Sequence, residues 1–448
     1  MMNQLSGISN KQTLYIGLML FSLFFGAGNL IFPPELGQSA GSNAWPAIIG
    51  FLISGVGLPI LGVMAITYVG SDDAEGLGRR VHPYFAIGFT ALTFLTIGPF
   101  FAVPRTGTVS YEIGIRPFIE RSESLNASSP LWLFLFSIAY FAVVFYLSLS
   151  PGKFVDRIGK IITPFLLLVI AILLVTVLFN PLGTYLEPVD SSFSDYPFFR
   201  GITEGYLTMD TIAAVVFGII VVKAIKDFGV TDQRIVKRTA WKAGLIAAIC
   251  LGTVYAGLGY LGAISASAIS ADSGAGILAS VSFEYFGLGG NVLLGLIILG
   301  ACIPTATGLI SSCSFYFNKL FPRLSYKAFV IIFTLFSLGI SNFGLNTIIE
   351  FSIPVLVFIY PIAIVLILLA FLEPLFKRRR IVYQMTVLFT AIASINEGLT
   401  AANPSWNYLR AVPLPFNDIG FAWALPAFIG FVIGLLLSPV FKGSEPKA

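Results

Sequence analysis

The chain has 448 residues, of which 56% are hydrophobic and only 11% charged, against roughly 25% charged in an ordinary soluble domain. So little charge cannot coat a soluble surface. Apolar runs of roughly 18 residues or more recur from end to end, each able to cross a hydrocarbon core. The formal net charge of +4 sits in short basic clusters between those runs, where it sets topology and argues against a nucleic-acid partner.

In chain order, apolar runs punctuated by turns and charges predict an all-α membrane protein of about twelve helices. Helix α1 spans about 13–38, α2 about 45–69, α3 about 83–113, α4 about 130–150 and α5 about 158–180. Helix α6 follows at about 197–226, α7 at 240–264, α8 at 290–318, α9 at 326–345, α10 at 350–372, α11 at 381–400 and α12 at 420–440. Lys11 followed by the apolar stretch Leu14–Phe25 imitates a signal peptide. That stretch runs into Gly26-Ala27-Gly28-Asn29 without a small-x-small cleavage site, so it is expected to be the first membrane helix.

No separate soluble domain is visible. The chain is expected to form one membrane domain over 1–448, with five-helix repeats at about 13–180 and 197–372 and two accessory helices at about 381–440. The connection 181–196 is acidic, and 265–289 is rich in Ser, Ala and Gly and has room for short helices. With the N-terminus inside, alternate loops put 21 of the 26 basic residues on the inner side. The inner set runs from Lys11 through Arg79, Arg80, Lys153, Arg157, Lys160, the cluster Lys223–Lys242, Lys319, Arg323, Lys327 and Lys377–Arg380 to Lys442 and Lys447. Arg116, Arg121, Arg200 and Arg410 fall outside, and Arg105 lies within α3. This split predicts cytoplasmic termini.

Transporters place substrate and ion at breaks in helices that occupy matching positions in two halves. Helix α1 is interrupted at Gly26-Ala27-Gly28-Asn29 and is expected to end at Pro33-Pro34. Helix α6 carries Gly205-Tyr206-Leu207-Thr208-Met209-Asp210-Thr211, with an acid at mid-depth. These helices open two blocks that start on opposite sides of the membrane, as an inverted repeat requires. A broken helix leaves N–H and C=O groups unpaired, which is costly in hydrocarbon. An amino acid supplies both partners: its carboxylate suits an N–H end, and carbonyl oxygens suit its ammonium group or a bound cation. Gly26, Ala27, Gly28, Thr208, Met209, Asp210 and Thr211 are therefore the candidate substrate residues.

Each of these features has a blander explanation. Glycines also allow close helix packing. For Asp210 the alternative is a structural ion pair with Arg105 as partner, and Arg105 and Glu112 are also candidates for an external gate. Thr305, Thr307, Ser311, Ser312 and Ser314 put hydroxyls along α8, as ion ligands or as bonds back to their own helix.

No enzyme motif stands out. The match to Gly-x-Gly-x-x-Gly at Gly257–Gly262 lies inside α7 with no preceding strand, so it reads as a packing surface. His82 has no partner in view, and Cys250, Cys302 and Cys313 lie in apolar segments without paired spacing. No cofactor is expected. Gly430-x-x-x-Gly434 in α12 is a candidate dimerisation stripe.

The run Phe25-Gly26-Ala27-Gly28-Asn29-Leu30-Ile31-Phe32-Pro33-Pro34 closely resembles the branched-chain amino acid carrier family, the leucine/isoleucine/valine:cation symporters. Gly98-Pro99-Phe100-Phe101-Ala102-Val103-Pro104-Arg105-Thr106-Gly107 and Gly205–Thr211 match as well. The resemblance implies a multi-pass carrier of a bacterial inner membrane, with the five-plus-five inverted-repeat, leucine-transporter-type fold and alternating access by a rocking bundle. It implies import of leucine, isoleucine and valine, usually driven by Na⁺. Gly26-x-Gly28-Asn29 is also similar to the first-helix pattern of the neurotransmitter:sodium symporters, which makes Asn29 a candidate ion ligand. The same likeness points to a second Na⁺ held by the carbonyls of Ser22 and Phe25 and the hydroxyls of Ser311 and Ser312, with the α8 register open by one residue. Tyr111 resembles a tyrosine that contacts the substrate carboxylate, at a shallower depth. Phe24, Leu30, Ile212 and Phe217 are candidates for the apolar pocket. Two alternatives keep the fold: coupling to H⁺ with Asp210 as proton carrier, and a non-transporting sensor or channel.

Overall fold

Local sequence starts many of the helices. The side chains of Ser9, Ser129, Asp232, Ser273 and Ser325 accept backbone N–H groups from Gln12, Leu131, Arg234, Gly276 and Ala328. Each satisfies a donor that the first helical turn leaves open. Gly70 closes another helix at φ 69°, a left-handed conformation that costs glycine little.

The computed structural model describes residues 8–70, 75–121, 126, 129–150, 154–230, 232–409 and 414–439, and the side chains of 154–163 are not described. Of the basic residues assigned to sides, Lys153, Arg410, Lys442 and Lys447 lie outside the described residues, as do the side chains of Arg157 and Lys160.

Among the described residues there is no strand. Helix α1 is two helices, α1a Asn10–Phe24 and α1b Ala27–Ala40. Helix α2 runs Ala44–Leu52, a π turn Ile53–Gly57 and Leu58–Val69. Helix α3 runs Pro83–Leu95, a π turn Thr96–Phe100 and Ala102–Gly114. Helix α4 is Pro130–Ser148 and α5 Phe154–Phe179. Helix α6 splits into α6a Pro197–Gly205 and α6b Asp210–Asp227 around a 3₁₀ turn Tyr206–Thr208. Then come α7 Gln233–Ser265, α8 Gly274–Leu320, α9 Tyr326–Ser341, α10 Leu345–Phe376, α11 Arg380–Ala402 and α12 Ala424–Leu437. Among the described residues, seven stretches are long and apolar enough to cross a membrane, and the pair α6a and α6b, bent by 51°, makes an eighth. Helices α9 and α12 are shorter apolar helices.

Three expectations change. Pro33 and Pro34 do not end α1: the helix passes through them to Ala40. Proline removes an intrahelical hydrogen bond, but neighbouring helices hold such a segment in place inside a membrane bundle. Here α7 does so, because Gly262 brings its bare backbone against the Pro34 carbonyl. This is what the glycines of Gly257–Gly262 do: they form a packing surface. Gly430 and Gly434 likewise face the backbone of Met385 and Val382 in α11, so the stripe is spent inside the chain and not on a second copy. Finally, α8 starts at Gly274 and kinks at Gly287 (φ 60°), so much of the 265–289 connection is helical.

The long helices sort into two packed groups. Helices α1 and α2 lie against α6 and α7, while α3 and α4 lie against α8 and α9. Helix α5 touches α7 and α8, α10 leans on α2, and α11 joins α10 to α12. Both broken helices belong to the first group. Helix α1b also packs on α3 and α8 of the second.

Candidate functional site

The break in α1 is two residues of extended backbone, Phe25 (φ −74°, ψ 94°) and Gly26 (φ −125°, ψ −164°). The Gly26 N–H it exposes donates to Asn29 Oδ1 at 2.9 Å. The break in α6 turns on Met209, a left-handed non-glycine residue at φ 66°, a conformation that costs an ordinary side chain on the order of 1 kcal/mol or more. It leaves the carbonyls of Leu207 and Thr208 without helical partners of their own.

Those carbonyls accept from Arg105 of α3, Nη1 to Leu207 at 2.7 Å and Nη2 to Thr208 at 3.4 Å. Arg105 is 3% exposed, and its guanidinium lies 5.0 Å from the centre of the Phe32 ring. It also rests on the other break, since a Cβ at Gly28 would meet Arg105 Nη2 at 2.6 Å. One guanidinium thus touches both interrupted helices. Arg105 and Glu112, expected together in the outer part of α3, do not pair with each other. Glu112 pairs one turn on with Arg116 at 2.7 Å, and Arg116 pairs with Glu120 at 2.7 Å.

Facing it electrostatically is Asp210, 4% exposed, at the first position of α6b. Its Oδ2 accepts from Asn29 Nδ2 at 2.5 Å and from the Tyr255 hydroxyl at 3.2 Å. Asn29 Nδ2 also donates to the Tyr255 hydroxyl, which closes a buried triangle across α1, α6 and α7. A carboxylate is held in such a place only when hydrogen bonds replace its lost water.

Most of the expected substrate residues meet here. Gly26, Ala27, Gly28, Thr208, Met209, Asp210 and Thr211 are all buried. Thr208 and Thr211 spend their hydroxyls on the carbonyls of Gly205 and Ser54. Asn29 is at the centre, its oxygen turned to Gly26 and its nitrogen to Asp210. Phe24 and Phe217 meet edge to face, with ring centres 5.3 Å apart, joining α1a to α6b below the breaks. Leu30 and Ile212 are buried.

The expected ion ligands are spread along α1 and α8. Ser22 is half-buried, and Phe25 ends α1a with its N–H on the Phe21 carbonyl. A Cβ at Gly26 would touch the Thr305 methyl at 3.4 Å, so Thr305 marks the face of α8 that looks at the break. Ser312 is seven residues on, within about 20° of two full turns, and shares that face. Ser311 is rotated roughly a third of a turn away and is buried.

Sequence reasoning missed Tyr255. Its only signal is a hydroxyl on an apolar helix face, which many interface tyrosines share. Tyr111 packs against Phe136 of α4, nearly two turns along α3 from Arg105.

Residues 9–440 match the family described as "Branched-chain amino acid transport protein". The chain is 48% identical to the branched-chain amino acid permease BraB of Bacillus subtilis (strain 168), over 96% of each chain. It is 45% identical to the permease BrnQ of the same organism, over 96% of this chain and 98% of that one. It is 42% identical to the branched-chain amino acid transport system 2 carrier protein of Pseudomonas aeruginosa PAO1, over 94% and 95%. Among solved structures, the inward-facing conformation of Mhp1 superposes with a TM-score of 0.62 at 13% identity, covering 96% of this chain and 91% of that one. MhsT in complex with L-phenylalanine gives 0.59 at 16% identity, covering 97% and 98%. At such identities the likeness concerns fold: the chain has the leucine-transporter-type fold.

Proposed function

The chain belongs to the branched-chain amino acid transport family, a family of transporters and not enzymes, and from that premise we propose that it imports leucine, isoleucine and valine by Na⁺ symport. The observation that carries this reading is the meeting of the two breaks around buried Arg105 and Asp210. A zwitterion has charged ends for such a place, and a leucine, isoleucine or valine side chain suits the apolar residues beside it.

The proposed substrate residues are Gly26, Ala27, Gly28, Thr208, Met209, Asp210 and Thr211. Na⁺ is proposed to bind the carbonyls of Ser22 and Phe25 with hydroxyls of α8, Ser312 foremost and Ser311 beside it. Asn29 supplies a further ion ligand when its oxygen leaves Gly26. The two helix groups suit alternating access: α1, α2, α6 and α7 rock against α3, α4, α8 and α9, opening the breaks to one side and then the other. We place twelve crossings in a bacterial cell membrane, both termini in the cytoplasm, as one domain of two five-helix repeats and two accessory helices. Each buried methylene contributes about 0.8 kcal/mol, so the pocket separates leucine from alanine well and leucine from isoleucine poorly.

The test is leucine uptake into proteoliposomes under an imposed Na⁺ gradient and, separately, a pH gradient. Uptake driven by Na⁺ and competed by isoleucine and valine is the expected result. Uptake driven by the pH gradient alone selects H⁺ coupling, a reading favoured by one observation: the buried carboxylate of Asp210 has a hydroxyl donor in Tyr255. No uptake of any branched-chain amino acid by folded protein turns the reading toward a sensor or channel.

A further inference from the structure

Arg105 has an uncommon position for a buried cation. A guanidinium taken out of water is held against a penalty of several kcal/mol unless a carboxylate and further hydrogen bonds compensate. Among the described residues, no carboxylate lies within ion-pairing distance of it, and its Nε–H has no acceptor. It has two carbonyl acceptors, on Leu207 and Thr208. A guanidinium has five N–H donors in a planar fork, so three are unspent, in a site between two broken helices. Asp210 is its electrostatic neighbour, but the Asp210 hydrogen bonds go to Asn29 and Tyr255.

We propose that Arg105 is the anchor for the substrate's α-carboxylate, and that Asp210, held by Asn29 and Tyr255, receives the α-ammonium. This deepens the proposed function and rests on it. Three arguments lead there. A planar fork with unspent donors fits a carboxylate with two parallel bonds, the strongest pairing open to arginine. The fork lies against Gly28, the residue whose missing side chain makes room for it. And the charges alternate: guanidinium, carboxylate, ammonium, carboxylate. A zwitterion then enters without leaving an unpaired charge in a low-dielectric site, whereas an amine or an acid alone leaves one. Arg105 thereby becomes a specificity residue, rejecting molecules that carry leucine's side chain without both charged ends.

The experiment is calorimetric titration of the purified full-length protein, in saturating NaCl, with leucine and with leucinol, which keeps the amine and replaces the carboxylate by a hydroxymethyl group. Wild type is expected to prefer leucine by at least about 100-fold, the scale of a buried charge pair losing one partner. Arg105→Gln is expected to weaken leucine by about that factor and leucinol by no more than about threefold, so that the preference collapses. Arg105→Lys, which keeps the charge and loses the fork, is expected to retain an intermediate preference of roughly tenfold. If Arg105 only braces the α6 break, leucine and leucinol weaken together and the preference persists, and that outcome overturns the proposal. A full leucine preference in Arg105→Lys overturns the paired-bond geometry in the same way, even where the glutamine variant does not fold. Wild type that binds none of leucine, isoleucine or valine overturns the transport reading itself, a failure distinct from a retained preference.

Discussion

The two breaks solve one physical problem by opposite means. In α1 the exposed group is a donor, the Gly26 N–H, and its acceptor is the side chain of Asn29, three residues on. In α6 the exposed groups are acceptors, the Leu207 and Thr208 carbonyls, and their donor comes from Arg105, more than 100 residues away in the chain. A locally capped break survives movement of its surroundings. One capped from another helix is a joint between bodies, because α3 belongs to the packed group opposite α6. Separating the groups would part Arg105 from the α6 carbonyls while leaving the Asn29 cap in place. In the proposed rocking motion, α1 would keep its own cap while the Arg105 contact to α6 would open and close.

Substitutions can break or sharpen this contrast. The largest effect is expected from Asp210→Asn, which removes the carboxylate proposed to receive the substrate's ammonium and leaves the Asn29 and Tyr255 donors with a neutral acceptor. Loss of a buried charged partner costs about 3–5 kcal/mol, and uptake in proteoliposomes should fall to background with the folded protein still eluting as a single species. Wild-type transport in that variant would reduce Asp210 to a structural role.

Next comes a pair within α1. Gly28→Ala puts a methyl 2.6 Å from Arg105 Nη2, whereas Gly26→Ala meets nothing nearer than the Thr305 methyl at 3.4 Å. Overpacking of that kind costs about 1–3 kcal/mol. Leucine affinity, measured by titration, should fall roughly 10- to 100-fold in Gly28→Ala and by much less in Gly26→Ala. Equal losses would separate Gly28 from the α6 joint.

A smaller effect tests the ion site. Ser312→Ala should raise the Na⁺ concentration for half-maximal uptake several-fold, with Ser311→Ala the milder of the two because only Ser312 shares the Thr305 face. Unchanged Na⁺ dependence in both removes α8 from ion binding. A last effect is read as stability: Met209→Gly relieves a left-handed backbone worth on the order of 1 kcal/mol but removes a buried side chain whose loss costs about 2–5 kcal/mol. The melting temperature should therefore fall, and an unchanged or higher value would show that strain outweighs packing at Met209.

Much of the frame was legible in the sequence because its causes are local. Apolar length, basic clusters and capping residues mark the helices, and every expected helix has a counterpart within a few residues, apart from the longer α7, α8 and α10. Both breaks fall at the expected positions, at Phe25–Gly26 in α1 and Tyr206–Met209 in α6. The prolines misled because Pro33-Pro34 would stop an isolated helix, whereas here α7 supports it through Gly262. Gly430 and Gly434 misled for a related reason: a small-residue stripe announces a close neighbour but not which one, and that neighbour is α11.

By itself, then, the sequence determined the solvent, the helices and the two interruptions, all properties of residues close in the chain. Tertiary structure decided the pairings. Asn29 reaches Asp210 across 181 positions and Tyr255 across 226, and Arg105 lies between the two breaks. Such choices depend on which helix faces lie together, because in a water-free interior a charge or an open carbonyl takes the partner that packing brings within about 3 Å.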